Sequence, residues 1–155
     1  MKHRIEELKE LVKQREWPGV DSITMGDGVI TLLNISFPTK NNYLIEPYID
    51  ADIFSYLKYN ADGLIPFDVF SKFRYKNYMV FAGDASLEGN GIIYLMDHKR
   101  DELIWFAFFE CSEYFKSVTI NEKEEVCAVS AANIVWKIPI MSPLNIELIH
   151  PKEDS

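Results

Sequence analysis

Leu103-Ile104-Trp105-Phe106-Ala107-Phe108-Phe109 is the stretch on which the fold turns. Its residues favour extended backbone and are apolar without a break, which leaves a strand no wet face. A membrane helix would need about 18 such residues in a row. The segment therefore reads as a central strand, covered on each side by another layer of the same domain.

Shorter runs of the same kind follow and precede it. Strands are predicted over residues 78–82, 91–97, 103–110, 115–120, 125–130, 133–140 and 146–149, separated by polar turns. His98-Lys99-Arg100-Asp101 and Asn121-Glu122-Lys123-Glu124 have the composition of hairpin connections, which predicts an antiparallel meander. Ile134, Trp136, Ile138 and Ile140 alternate with Asn133, Lys137 and Pro139, so that strand has one wet face. Pro139 cannot donate to a ladder and predicts an edge or a bulge there.

Upstream, Met25-Gly26-Asp27-Gly28 is a turn between strands at 20–24 and 29–37, a hairpin. Ile5, Leu8, Leu11 and Val12 recur at helical spacing and predict an amphipathic helix over 3–15, ended by Trp17-Pro18-Gly19. Between 38 and 77, Pro38, Pro47, Gly63 and Pro66 bracket two segments, 52–59 and 67–73, whose apolar spacing predicts short helices. The expected fold is α+β. It is a single domain over residues 1–155, an N-terminal helix packed on a mostly antiparallel β-meander sheet, with short helices between residues 50 and 75.

Composition narrows the function. The 155 residues, 48% hydrophobic and 14% aromatic, suffice for one packed core. Cys111 and Cys127 are too few and too far apart for a disulfide framework, a redox pair or a zinc site, and are expected as reduced, mostly buried thiols. The charged start, Met1 to Glu7, lacks the apolar stretch of a signal peptide, and the expected location is the cytoplasm. Net charge is −8, unevenly spread: residues 1–100 hold 14 acids against 12 bases, residues 101–155 hold 10 against 4. Such a field repels nucleic acid and anionic membranes and steers in a cationic partner.

The segments that resemble catalytic or ligand sites fail on their own chemistry. In Gly83-Asp84-Ala85-Ser86-Leu87-Glu88-Gly89-Asn90-Gly91, Asp84, Ser86, Glu88 and Gly89 match the first positions of a calcium loop. Gly91 and Leu95 then stand where an aliphatic residue and the bidentate glutamate are required, and a strand follows in place of a helix. The same glycines lack the strand-glycine-helix order of a phosphate loop. His3, His98 and His150 lie in no informative context, and neither cysteine is flanked by cations that would favour a thiolate. Carboxylate pairs such as Glu110 with Glu113, or Asp50 with Asp52, are expected in any acidic chain. Lys72-Phe73-Arg74-Tyr75-Lys76-Asn77-Tyr78 interleaves bases with aromatics, as base-stacking platforms do, but it is short and set in a negative field. No cofactor and no metal are expected.

An acidic, tyrosine-bearing surface is the better candidate. Glu46, Asp50, Asp52, Asp62 and Asp68 surround a single Lys58 between residues 44 and 68, with Tyr43, Tyr48, Tyr56 and Tyr59 nearby. Acids steer a basic partner, and tyrosines supply contact area at low entropic cost. The expected partner-binding residues are Glu46, Asp50, Asp52, Tyr56, Asp62, Asp84, Glu88 and Glu102.

Four segments in order, Ser55-Tyr56-Leu57-Lys58-Tyr59-Asn60-Ala61-Asp62-Gly63, Met79-Val80-Phe81-Ala82-Gly83-Asp84, Gly89-Asn90-Gly91-Ile92-Ile93-Tyr94 and Glu102-Leu103-Ile104-Trp105-Phe106, resemble those of SUKH-superfamily proteins. Many members are immunity proteins of bacterial toxin systems, including contact-dependent growth inhibition. The resemblance implies an inhibitor without chemistry of its own that docks on a cognate, cationic toxin domain, such as a nuclease, and occludes its active site. Two other classes remain in view. One is a small hydrolase or ligand-binding enzyme built from Asp84, Glu88 and His98; the other is an adaptor that pairs between chains through an exposed edge at 133–140.

Overall fold

The computed structural model describes residues 2–39, 42–60 and 63–151. At its centre is β8 (Glu102–Phe109), which pairs with β7 (Gly91–Asp97) on one side and β2 (Ser22–Met25) on the other. The eight-stranded sheet around it runs β1 (Glu16–Pro18), β5 (Leu64–Tyr75), β6 (Tyr78–Ala85), β7, β8, β2, β3 (Val29–Thr39), β4 (Asn42–Asp52). A second sheet is ordered β12 (Glu147–Ile149), β11 (Val135–Pro139), β10 (Glu125–Ser130), β9 (Phe115–Ile120). Every pairing among the described residues is antiparallel.

Side chains of a strand alternate between faces, and β8 fills both. Trp105, Ala107 and Phe109 pack with Trp136, Ile138 and Phe115 of the second sheet, while Phe106 and Phe108 pack with Leu8, Val12 and Trp17 on the opposite face. The layers are thus helices, large sheet, small sheet. On the helical side lie α1 (Lys2–Lys13), which buries Leu8 and Val12, and the short α2 (Ile53–Tyr59), which buries Ile53. Trp17 stacks on Phe106 with ring centroids 4.0 Å apart, and Trp105 donates its indole N–H to the Ile140 carbonyl at 3.1 Å, tying the two sheets together.

The α+β reading, the helix packed on the sheet, the hairpin at residues 20–37 and the strands from 78 onward agree with this structure. Three expectations do not. Residues 67–73 form part of β5, not a helix: Phe67, Val69, Ser71, Phe73 and Tyr75 are the more buried positions along it, a period of two that the aromatic spacing masked. Trp17-Pro18 does more than end the first helix, because Arg15 adopts φ 60 and turns the chain into β1. The segment 133–140 is no edge: β11 lies between β10 and β12. Pro139 fits there because β12 pairs only as far as Lys137, and past that point no outer neighbour asks for its N–H.

Candidate protein-binding surface

Strand register gathers the acids at one end of the large sheet. Asp68 lies opposite Asp84, Asp84 opposite Gly91, and Gly91 opposite Phe109. Beyond Phe109, the Glu110 amide donates to the Asp21 carboxylate at 2.6 Å, the Leu33 amide donates to the Asp21 carbonyl at 3.0 Å, and Leu33 lies opposite Pro47. At the usual strand spacing this level spans about 29 Å. Asp21, Glu46, Asp68, Asp84 and Glu110 stand on it or one residue from it, and Glu88 and Glu113 lie in the adjoining connections. Residues 19–22, 45–48, 67–70, 83–91 and 109–115 contain no lysine or arginine.

The β6–β7 connection and the segment after β8 enclose a cleft of about 380 Å³, lined by Asp84, Ser86, Leu87, Glu88, Asn90, Glu113 and Tyr114 among others. The Glu113 amide donates to the Gly89 carbonyl at 2.8 Å and holds the two walls together. Burial, and then the charge of Asp68, hold the Asp84 carboxyl above its ordinary pKa. Beside the cleft, Phe70 is the extra residue of the β5 irregularity between Val69 and Ser71, and it meets Tyr114 edge-on at 5.8 Å. Phe70, Tyr114 and Leu87 are 52%, 43% and 55% exposed, an apolar group within an acidic rim. The glycines of this connection serve packing. A Cβ on Gly83 would overlap the Asp68 carbonyl, and one on Gly91 would overlap the Glu113 carbonyl and the Ser112 hydroxyl.

The other end of the rim is β4, the last strand of its sheet. Leu44, Tyr48 and Ile49 are each about half exposed, with Glu46 and Asp50 exposed among them. Cross-strand partners share a face, so Leu44 with Ser36, Glu46 with Asn34 and Ile49 with Leu32 form a sheet surface beside α2. Tyr56 on α2 reaches this region: its hydroxyl is held above its ordinary pKa by burial first, then by Tyr48 and Glu110.

Of the expected binding residues, Glu46, Tyr56, Asp84 and Glu88 therefore fall along one rim, whereas Asp50 lies farther along β4, three residues past Pro47 and opposite Thr31, whose hydroxyl donates to it at 2.7 Å, on the other face of the sheet from Glu46. Asp52 is committed to structure, since its carboxylate caps α2 by accepting from the Phe54 and Ser55 amides at 2.8 and 3.2 Å. Asp62 lies outside the described residues. Glu102 sits at the opposite end of the sheet, beside a cleft of about 320 Å³ lined by Asp27, Asp97 and Arg100. His98 follows Asp97 at that same end, a whole β7 length, about 20 Å, from Asp84, so Asp84, Glu88 and His98 do not converge. Tyr43 is half-buried and accepts from the Leu148 amide at 3.0 Å, whereas Tyr59 is exposed. In the basic stretch, Phe73, Tyr75 and Tyr78 pack against the core while Lys72, Arg74 and Lys76 point to solvent.

Asp21, Phe70 and Tyr114 join the site through tertiary pairing, and nothing local in the sequence marks them; Asn90 and Glu110 stood in segments already noted, the glycine-rich connection and a carboxylate pair, without being marked for this surface. The Asp21 carboxyl is pushed up to about 6, by burial first and by Glu110, against the opposing Glu110 N–H. The thiols are less buried than expected. Cys111 is an exposed residue and Cys127 half-buried, yet enough protein crowds the Cys111 sulfur that burial, then Asp21 and Glu110, push it up to about 11.

Among the described residues no group of acidic, histidine or cysteine side chains could hold a metal ion, and no helix is long and apolar enough to cross a membrane. No family model, curated protein or solved structure matches the chain.

Proposed function

We propose that this chain is an immunity-type binding protein that neutralises a cognate, cationic toxin domain, with a nuclease the favoured kind, by covering its active site. The observation that carries the reading is the acidic rim, whose own segments hold no lysine or arginine, with Phe70, Tyr114, Leu87 and Tyr48 exposed along it and Arg15 and Lys72 bordering it beside Phe70. An excess of acids raises the encounter rate with a basic surface, and exposed aromatics supply the contact area that holds it. The likeness of residues 53–118 to SUKH-superfamily immunity proteins points the same way. Co-expression with the product of the adjacent gene tests it. A co-purifying complex, protection of the host and an affinity that falls as salt rises are expected. Neither complex nor protection, with any toxic neighbour, would end this reading.

A second reading, an adaptor that pairs strand to strand, draws on β4, a long outer strand with half-exposed apolar residues.

A further inference from the structure

We infer that the cleft between the β6–β7 connection and Glu113-Tyr114 is a pocket for an arginine of a partner protein, with Asn90 receiving a main-chain carbonyl of the same segment. This rests on the protein-binding reading and names the chemistry that reading would use. Asn90 is only 5% exposed and lines the cleft, and its Nδ2 has under 1 Å² of accessible surface and no hydrogen-bond partner among the described residues, so a small turn of the side chain toward the cleft is what presents it to an acceptor. A buried amide left unpaired forfeits its hydration without a replacement, and that loss is recovered when an acceptor arrives. The Asn90 main-chain N–H is already used, donating to the Leu87 carbonyl at 3.3 Å.

Around this donor stand Asp84, Glu88 and Glu113, none in an ion pair with another described residue. They are not grouped closely enough to hold a metal. The occupant must therefore bring donors to carboxylates and one acceptor to Asn90. A polyamine brings no acceptor, and a phosphate brings acceptors that the acids repel. An arginine within a peptide brings both. Its planar fork matches carboxylates in a way an ammonium does not, and its flat face can stack on the exposed ring of Tyr114.

The test uses the full chain, ¹⁵N-labelled, titrated with N-acetyl-arginine N-methylamide and with the matching lysine and citrulline compounds. Saturable shifts centred on the Asn90 side-chain amide are expected with arginine, weaker ones with lysine and none with citrulline, the neutral isostere. Asp84→Asn and Glu113→Gln should each weaken arginine binding about tenfold, as loss of one charge-assisted hydrogen bond does. Asn90→Leu, read at the backbone amides of Glu88, Gly89 and Tyr114, should abolish the response while leaving Tm unchanged or higher, because it removes an unpaired buried group. No response to arginine, an equal response to citrulline, or a Tm lowered by Asn90→Leu would overturn the assignment. If the toxin is found, full protection by the Asp84→Asn/Glu113→Gln chain would also overturn it and leave the binding function intact. Absence of any protection by the unmodified chain would instead strike the function, with the arginine titration still judging the pocket.

Discussion

The amide of Glu110 donates to the carboxylate of Asp21 at 2.6 Å, across 89 positions of sequence, and joins the end of β8 to the start of β2. The burial of Asp21, and after it the Glu110 charge, oppose ionisation there, which raises the Asp21 pKa from 3.8 to about 6. A carboxyl that binds its proton more tightly folded than unfolded adds stability that is fully present below pH 3.8 and is lost as pH rises through about 6. Discounted for the group's contact with solvent, the loss is about 1–2 kcal/mol. Asp21→Asn, which keeps the acceptor and removes the charge, should flatten the decline between these limits and raise stability at pH 8 by about 1 kcal/mol. Urea melts at several pH values measure it, and an Asp21→Asn chain less stable at pH 8 than its parent would refute the account.

Cys111 tests the same field from another side. A thiol at about 11 in place of 9.0 has roughly a hundredth of the thiolate at pH 8, partly offset by the greater nucleophilicity of a more basic sulfur. The net expectation is alkylation by iodoacetamide about tenfold slower than that of a free cysteine, in spite of the residue's exposure. Asp21→Asn should speed it. A rate equal to that of the free amino acid would mean that neither burial nor the two acids act on this sulfur, and an unchanged rate in Asp21→Asn would mean that the Asp21 charge has no part in setting it.

Trp105 of β8 and Trp136 of β11, both fully buried between the two sheets, make unequal demands. Trp105 donates to the Ile140 carbonyl, while the indole N–H of Trp136 has no partner among the described residues. Trp105→Phe therefore removes volume and a hydrogen bond and leaves a carbonyl unpaired; Trp136→Phe removes volume and an unsatisfied donor. The first should cost about 1–2 kcal/mol more than the second. Equilibrium unfolding of the two variants, followed by circular dichroism, decides the order.

The architecture was legible because Leu103 to Phe109 admits one reading, a strand with two dry faces, and because the turns that follow it carry unambiguous turn chemistry. Residues 67–73 were not, since Phe67, Phe70 and Phe73 fall at helical spacing while Phe67, Val69, Ser71 and Phe73 alternate as a strand, and only pairing with β6 distinguishes the two. The bulge that puts Phe70 outward is likewise a property of two strands together. The candidate surface was half legible. Charge identified Asp84, Glu88 and Glu46, but Asp21 and Glu110 meet through register, which no local pattern encodes. The capping role of Asp52 was not legible, because an N-cap and a surface acid look alike until the helix behind it is known.

The exposed edge of β4 carries the last expectation. A long outer strand with half-exposed Leu44, Tyr48 and Ile49 is a template for pairing with another chain, and inserted charges are the usual defence. Glu46 lies between Leu44 and Tyr48 on this strand, and its repulsion of a second copy's Glu46 should keep the chain monomeric at neutral pH. Glu46→Val removes that charge and raises strand propensity, so it should produce concentration-dependent dimers or larger species in light scattering. Asp50 is the poorer choice, because its bond to Thr31 ties it to the β3–β4 ladder. If the unmodified chain already dimerises and Glu46→Val leaves the dimer unchanged, the acids on β4 are not a barrier to self-pairing. The adaptor reading would then gain over the inhibitor.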